Sequence, residues 1–479
     1  MNYERGKMMI TDEFIAGESK TLEFKSKLPD KSETYMKTIV AFANTSGGKL
    51  VIGIDDNKSI VGVNKDDVFE LTDRVTNAIS DACEPQIVPD ISTTTIDDKC
   101  ILVIKIYPGA NRPYYLKSKG KERGTYIRSA ATSRLADFDK IRELEMEGKN
   151  LSWDEQICVG YEVTKEAVDK LCKDIQSYMS YSETEEVKVP TEKQLVNWKV
   201  LKESNGKFLA TNAFVLLTSD FFPFAKIQCA LFKGTTRDIF IDKKEYTGSL
   251  YEQVENAYQF VLRHINQSAK IEGLVRKDKY ELPTSAIREM IVNAQVHRNY
   301  MDNSFVQIAI YDDRLEVSSP GSLYGGLTLE EIVCGKSKIR NKVIAEIFNK
   351  MDLIEQWGTG IQRIINRAKE YGLPKPEFME IGETFRVNLY RKKADKKPIK
   401  KADKKPIKTA DKKPIKVNRE NLIMAYIKEN GSISNMEARQ ILNLAESTTK
   451  RFLKNMVNEG LLLEEGERKS RIYVLVDEE

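Results

Sequence analysis

Apolar and polar residues follow a mixed pattern along the first part of the chain. A period near 3.6 predicts helices, whereas short apolar runs and strict alternation predict strands. A Gly47-Gly48 pair separates the first predicted helix from an apolar run, which is typical of a turn into a buried strand. The pattern predicts helices at 32–44 and 66–82 and strands at 21–25, 49–54, 60–63, 100–106 and 125–128. Residues 10–150 are therefore expected to form one α/β domain.

A second α/β pattern lies further along the chain. Between 151 and 282 the periodicity is weaker, and this part is interpreted as a connecting α/β region, with strands at 227–232 and 238–241 and a helix at 250–266. From 283 to 391 the pattern predicts a separate α/β sandwich domain. Its helices are expected at 284–297, 341–350 and 361–371, and its strands at 306–311, 315–318 and 385–390.

The segment 392–417 repeats ADKKPIKK, ADKKPIKT and ADKKPIKV at a fixed step of eight residues. Lys-Lys-Pro repeats have little apolar mass and lack backbone donors, so this segment is expected to be an extended linker. Beyond it, helical patterns at 420–429, 435–442 and 447–459 precede an alternating run at 461–476. Three helices followed by a hairpin predict a winged helix-turn-helix domain over 418–479.

Length and composition indicate a multidomain α/β (α+β) protein. A chain of 479 residues is too long for a single hydrophobic core. Its 41% hydrophobic and 31% charged residues are typical of globular rather than disordered chains. The sequence has neither an apolar stretch of bilayer length nor a secretion signal at its start, so we expect a cytoplasmic protein without membrane contact.

The scarcity of certain side chains limits the chemistry. Six cysteines without a CxxC pair are expected to be reduced thiols. The only histidines are His264 and His297, which argues against zinc hydrolases, serine triads and cysteine-histidine dyads. Any catalysis must therefore rely on carboxylates and lysines.

Positive charge is concentrated in one stretch. Residues 391–416 carry 13 Lys and Arg against 3 Asp, a net +10, which leaves −6 for the rest of a chain whose formal net charge is +4. Such a stretch can attract a polyanion through counterion release. It can equally serve only to keep a linker soluble and extended.

Three carboxylates and a lysine lie close together in the predicted N-terminal fold. In a strand at 21–25, Leu22 and Phe24 face the core while Glu23 and Lys25 share the other surface. The strand after the glycine pair ends at Asp55-Asp56, so Glu18, Glu23 and Asp56 are expected to converge. Mg²⁺ or Mn²⁺ prefers such oxygen ligands, and Lys25 would stabilise the same phosphate. A solvated surface ion pair is the alternative.

These residues belong to a longer motif. GESKTLEFK followed by AFANTSGGKLVIGIDDNKSIVGV resembles the AlbA-like domain of Schlafen proteins. Glu18, Glu23 and Lys25 match the ExxxxExK spacing of Schlafen nucleases, which implies a catalytic and metal-binding set of these residues with Asp56, or with its neighbour Asp55. The resemblance thus implies a metal-dependent endoribonuclease that cleaves RNA or transfer RNA. Many proteins with this domain are regulators, so we place binding ahead of cleavage.

A basic segment follows in the same domain. Tyr114 and Tyr115 lie among its cationic residues and could stack on bases. The predicted phosphate contacts are Arg112, Lys117, Lys119, Lys121, Arg123 and Arg128. A solvated lysine loop is the alternative.

The string AIREMIVNAQVHRNY resembles the first helix of GHKL-type ATP-binding domains. The resemblance implies that Glu289 prepares the attacking water and Asn293 ligates the magnesium of bound ATP, while Gly358 and Gly360 offer backbone amides to phosphates. Ser319 stands where the family carries an aspartate that reads the adenine amino group. A missing acceptor there would cost about 1–3 kcal/mol, which leaves nucleotide binding open.

The C-terminal part carries a basic helix. Small and basic residues on its third predicted helix suit the major groove of DNA: Thr448, Lys450, Arg451 and Lys454. Arg468, Lys469 and Arg471 would form the wing. Winged helices also bind proteins, which is the alternative.

The sequence therefore favours a DNA-binding transcriptional regulator with a ligand- or ATP-sensing domain. DNA, RNA or both are the expected partners, and a homo-oligomer is expected because paired binding modules raise avidity. The alternatives are a Schlafen-like endoribonuclease, with phage defence as its candidate role, and a GHKL-type ATPase.

Overall fold

A computed structural model describes residues 17–179, 188–272, 275–354, 358–392, 419–442, 446–458, 460–466 and 472–476. The chain divides into two compact units, residues 1–395 and 396–479. This division falls inside the predicted linker, whose residues 393–417 lie outside the described residues. Both units combine helices and strands, which confirms the mixed α/β class.

The first domain of the larger unit is built on a sheet with strand order β1-β2-β5-β4. β1 and β2 are parallel, and the other neighbours are antiparallel. In chain order the elements are β1 (Leu22–Lys25), α1 (Glu33–Asn44), β2 (Gly48–Ile52), α2 (Val68–Ala82), β3 (Cys83–Glu84), β4 (Asp90–Ile96), β5 (Lys99–Ile106), β6 (Tyr115–Leu116), α3 (Gly120–Gly124), β7 (Tyr126–Ser129), β8 (Thr132–Leu135) and α4 (Phe138–Gly148).

Apolar side chains cover both faces of this sheet. Leu22 and Phe24 are buried on one face, as the alternation in β1 predicts. Helix α1 packs its apolar side chains on the other face, because its apolar positions recur at helical spacing. The prediction of a strand at 60–63 is wrong, since Ile60 and Val63 form only isolated bridges. β4 was not predicted, because its threonine-rich sequence is largely exposed.

The second sheet of the larger unit has the order β12-β11-β15-β16-β18-β17. Its strands are β11 (Ile227–Phe232), β12 (Phe240–Tyr246), β15 (Val306–Ile310), β16 (Arg314–Pro320), β17 (Glu377–Ile381) and β18 (Thr384–Tyr390). The hairpins β9–β10 (Leu201–Ser204, Lys207–Ala210) and β13–β14 (Gln267–Glu272, Val275–Tyr280) lie outside it. The helices are α5 (Lys165–Met179), α6 (Glu192–Asn197), α7 (Asn212–Thr218), α8 (Leu250–His264), α9 (Thr284–Val296), α10 (Leu329–Val333), α11 (Lys342–Lys350) and α12 (Gly360–Glu370).

This second sheet crosses the boundary predicted at residue 282. Strand β11 pairs in parallel with β15, and one hydrophobic core takes side chains from Cys158 to Leu389. Residues 151–282 are therefore not a separate connecting region. The sequence could not show this, because pairing between distant strands leaves no local pattern.

The smaller unit contains α13 (Arg419–Asn430), β19 (Ile433–Ser434), α14 (Asn435–Leu442), α15 (Glu446–Asn458), β20 (Leu462–Glu465) and β21 (Ile472–Leu475). Its antiparallel strands have the order β19-β21-β20. The core contains Ile423, Ile427, Leu453 and Tyr473. The three helices agree with the predicted ones to within one residue at each end. The predicted wing residues Arg468, Lys469 and Arg471 lie outside the described residues.

Among the helices of the described part, none has both the length and the apolar character needed to cross a membrane.

Candidate functional sites

Glu23 on β1 is held in a buried ion-pair network. Its Oε2 accepts a hydrogen bond from Thr38 Oγ1 at 3.0 Å and lies 2.6 Å from Arg128 Nη1. Its Oε1 lies 3.0 Å from Lys25 Nζ. The Arg128 side chain, contributed by β7, is completely shielded from solvent. It also donates to the Ser19 carbonyl at 2.7 Å and to Ser133 Oγ at 3.1 Å. Both oxygens of Glu23 therefore already have cationic partners.

The other acidic residues of the predicted metal site are exposed or bond to the backbone. Exposed Glu18 accepts the backbone N–H of Phe24 at 3.0 Å. Asp55 accepts the backbone N–H of Ser59 at 2.7 Å and so stabilises the turn after β2, in which Asp56 is exposed. Across the described residues, no group of three or more His, Cys, Asp or Glu could hold a metal ion. The predicted Mg²⁺ or Mn²⁺ site of Glu18, Glu23 and Asp56 therefore does not fit this structure.

Two predicted phosphate contacts are structural instead. Arg112 is 7% exposed and donates to the Ala43 and Thr45 carbonyls and to Glu147 Oε2. Arg128 forms the buried ion pair with Glu23. Neither guanidinium is available to an external phosphate, because each is buried among its own acceptors. The sequence could not distinguish them from surface cations.

The remaining basic residues of that segment lie at the surface around α3. Lys119 forms an ion pair with Glu33, and Lys121 Nζ lies 2.6 Å from Glu145 Oε1. Lys117 and Arg123 are exposed. Tyr114 is buried and Tyr115 half-buried, so Tyr114 cannot stack on a base. The available surface is thus smaller than the sequence predicted.

A cavity of about 220 Å³ lies in the second domain, between α9, β16 and α12. Glu289 and Asn293 line it from α9, and Asn293 Nδ2 donates to Glu289 Oε1 at 3.0 Å. This is the contact expected for residues one helical turn apart. Gly360 begins α12 so close to this pair that a Cβ atom there would overlap the Glu289 carboxylate. Gly358 also lines the cavity and has a φ of +65°, which favours glycine.

Ser319 also lines this cavity, from β16. Its hydroxyl donates to the Ala294 carbonyl at 2.7 Å. A hydroxyl has one proton to donate and two acceptor lone pairs, so Ser319 keeps acceptor capacity toward the cavity. The nearby imidazole of His297 stays neutral, because burial and then Arg340 lower the pKa of His297 to about 4.

One side of the cavity is formed by residues 321–340, here called the cavity loop, which includes α10. Lys336 and Lys338 of this loop line the cavity together with Lys342 of α11. Lys336 Nζ lies 2.6 Å from Glu331 Oε1, and Lys338 Nζ donates to the Gly325 carbonyl at 2.6 Å. These lysines were not among the predicted site residues, although the basic string KSKIRNK at 336–342 is a signal for them.

Asp154 stabilises α11 from a short 3-10 helix formed by Trp153–Glu155. Its Oδ2 accepts the backbone N–H of Ile344 at 2.8 Å, in the first turn of α11. Its Oδ1 is buried without a hydrogen-bond partner among the described residues. Burial raises the pKa of Asp154 to about 6.

Replacing Asp154 with asparagine is therefore expected to stabilise the protein at pH 8 by up to about 3 kcal/mol. The folded-state pKa lies above the ordinary value of 3.8. The folded protein thus loses stability as pH rises through about 6, whereas D154N keeps an acceptor for Ile344 and does not ionise. Thermal unfolding at pH 8 and pH 4 tests this, and the advantage should disappear at pH 4. Asp154→Ala, which removes the acceptor, should destabilise at both pH values.

The predicted DNA-reading residues of the smaller unit lie on α15. Lys450, Arg451 and Lys454 are exposed there, whereas Thr449 is buried. Thr448 belongs to the same helix, and its side chain lies outside the described residues. Helix α15 thus presents three cations to solvent.

Two parts of the chain match known protein families. Residues 18–137 match the family described as Schlafen, AlbA_2. Residues 303–389 match the family HATPase_c_4, described as "Putative ATP-dependent DNA helicase recG C-terminal". The chain therefore combines a Schlafen AlbA_2 domain with a recG C-terminal-type domain, which confirms both predicted resemblances. These families indicate a nucleic-acid-related function and a nucleotide-binding domain. The second match begins after α9, so Glu289 and Asn293 precede it.

Two solved structures are similar to this chain. The DIP2311 protein from Corynebacterium diphtheriae is 17% identical, with a TM-score of 0.42, and the match covers 95% of this chain and 92% of that one. The N-terminal domain of a RecG-related protein from Nitrosomonas europaea is 24% identical, with a TM-score of 0.21. That match covers 26% of this chain and 89% of the other. At these identities and TM-scores the similarities do not define a site.

Proposed function

We propose that this chain is a nucleic-acid-binding regulator whose recG C-terminal-type domain senses a nucleotide. The observation that carries the proposal is the cavity, which places the Glu289–Asn293 pair beside the N-terminus of α12. Backbone amides at a helix N-terminus favour anionic groups such as phosphates. Lys336, Lys338 and Lys342 add positive charge to the lining of the same cavity.

A nucleotide with its Mg²⁺ would fit the donors of this cavity. The side-chain oxygen of Asn293 would hold the metal, and the metal would neutralise charge on the phosphates. Ser319 would accept a hydrogen bond from an amino group of the base, since its proton is already donated to Ala294. The Ser319 hydroxyl would therefore restore part of the nucleotide affinity that is lost because the family's aspartate is missing.

The two ends of the chain would contact nucleic acid. In the Schlafen AlbA_2 domain, the exposed cations Lys117 and Arg123 support binding to a sugar-phosphate strand. In the smaller unit, the exposed cations of α15 and a three-stranded sheet support a winged helix that binds duplex DNA. Assembly into a homo-oligomer would raise the avidity of both surfaces.

The nucleotide site is tested by calorimetry with Mg-ATP. Wild type should bind, and Asn293→Ala should weaken binding by about 10- to 100-fold, because the half-buried side-chain oxygen that would hold the metal is lost. Asn366→Ala is the matched control, since Asn366 is exposed on α12. Absence of heat with the wild type would remove the sensing role. Steady phosphate release would favour the GHKL-type ATPase instead.

The endoribonuclease alternative is tested by incubating the protein with total RNA and Mn²⁺. We expect no cleavage product, because Glu23 is held by Arg128, Thr38 and Lys25. A product that disappears in Glu23→Ala would contradict the regulator proposal and establish a nuclease.

A further inference from the structure

The Glu380 carboxylate links the cavity loop to the Schlafen AlbA_2 domain. Leu323 lines the cavity, and its backbone N–H donates to Glu380 Oε1 at 2.9 Å. Glu380 lies on β17, outside the cavity lining. Its other oxygen, Oε2, lies 2.8 Å from Lys20 Nζ. Both side chains are largely shielded, with 17% of Glu380 and 32% of Lys20 exposed. Glu380 therefore links a cavity wall to the segment that precedes β1.

The contact continues from Lys20 into the Glu23 network. Arg128 donates through Nη2 to the Ser19 carbonyl at 2.7 Å and through Nε to the Lys20 carbonyl at 3.4 Å. The same guanidinium holds Glu23 at 2.6 Å. A change in the position of Lys20 thus acts directly on the buried arginine that organises β1 and β7. Hydrogen bonds in a shielded environment are electrostatically stronger than solvated ones, so these contacts hold Lys20 and Arg128 together.

A second contact fixes the base of the cavity loop to the same domain. Arg340 is buried, and it donates to the His297 carbonyl at 2.8 Å and to the Ser322 carbonyl at 2.9 Å. Its Nη2 also lies 3.3 Å from Glu143 Oε1 on α4. A Cβ atom at Gly321 would overlap this guanidinium, so the backbone there packs directly against Arg340. Both ends of the loop therefore rest on residues that bind the first domain.

We infer that ligand binding in the cavity and nucleic-acid binding by the Schlafen AlbA_2 domain are coupled through the Leu323–Glu380–Lys20 contact. The inference rests on the proposed function, since it requires both ligands. A ligand that displaces the Leu323 backbone changes the Glu380 contact and hence the position of Lys20. By linkage, nucleic acid bound at the first domain changes the affinity of the cavity by the same factor.

The experiment measures the affinity of the full chain for a fluorescein-labelled single-stranded RNA by anisotropy, with and without saturating Mg-ATP. Single-stranded RNA is used so that the titration reports binding by the Schlafen AlbA_2 domain, since α15 is proposed to bind duplex DNA. Wild type should show a change of about fivefold or more in the RNA Kd when Mg-ATP is added. In Glu380→Gln and Lys20→Met the change should fall below about twofold, while Mg-ATP affinity measured by calorimetry stays as in wild type.

Glu377→Gln is the matched control, because Glu377 lies on the same strand and bonds to Asn388 and Tyr390 instead. It should retain the full change. If wild type binds both ligands without a change in RNA Kd, the inference is overturned and the proposed function stands. If Glu380→Gln retains the wild-type change, the inference is also overturned. If wild type binds no Mg-ATP, the proposed function fails and the inference fails with it.

Discussion

Arg128→Ala is expected to destabilise the Schlafen AlbA_2 domain by about 3–5 kcal/mol. The Arg128 side chain is completely shielded, and its removal leaves the Glu23 carboxylate buried with Thr38 and Lys25 as its remaining partners. Two backbone carbonyls also lose a donor. Urea unfolding followed by far-UV circular dichroism measures the loss. Hydrogen exchange at β1 and β7 should rise in the same variant, because these strands are joined by the ion pair.

Arg134→Ala is the matched control for this prediction. Arg134 lies on β8 of the same hairpin and is exposed, so its loss should change stability by less than about 0.5 kcal/mol. The double variant Glu23→Gln/Arg128→Met should recover part of the stability, because no uncompensated charge stays buried. If Arg128→Ala unfolds at the wild-type urea concentration, the ion pair does not organise the domain.

Replacing Lys450, Arg451 and Lys454 together with alanine is expected to weaken duplex DNA binding by about 100-fold or more at low salt. Each cation that contacts a phosphate releases a counterion, so the slope of log affinity against log salt should fall by about 2.7. The three side chains are exposed on α15, so their removal should leave the core of the smaller unit intact. Anisotropy titrations at several salt concentrations measure both quantities.

Lys428→Ala provides the control for charge alone. Lys428 is exposed on α13, outside the proposed DNA-binding helix. Its removal should change the slope by less than one unit, since one cation can release at most about one counterion. An unchanged slope in the triple variant would show that α15 does not bind the phosphate backbone.

Much of the local structure could be predicted from the sequence. Helix α1 was predicted at 32–44 and is observed at Glu33–Asn44, because its apolar residues recur at helical spacing. The Glu289–Asn293 contact follows from helix geometry, which places residues i and i+4 on one face. Gly358 and Gly360 line the same cavity as Glu289 and Asn293, and a Cβ atom at either glycine would come too close to a neighbouring oxygen atom.

The candidate sites were predicted less well than the elements that carry them. Glu23 and Lys25 do share one side of β1, yet the Glu23 carboxylate forms ion pairs with Arg128 and Lys25. Arg112 was predicted as a phosphate contact and is a buried link between α1 and α4. The residue type does not show whether a charged side chain is buried in the folded protein or exposed to solvent. Burial therefore cannot be predicted from a short motif.

By itself the sequence determined the positions of helices such as α1, α8 and α9, several strands of the two large sheets, the two domain types and the residues that line one helical face. These features depend on contacts between residues that are only a few positions apart in the chain. At that distance, backbone geometry relates the spacing of apolar residues directly to the secondary structure. Only the tertiary structure decided that β11 joins the sheet of β15, that Arg128 neutralises Glu23, and that Glu380 connects the cavity loop to Lys20. Each of these joins residues far apart in the chain, and their partners are set by how whole elements pack.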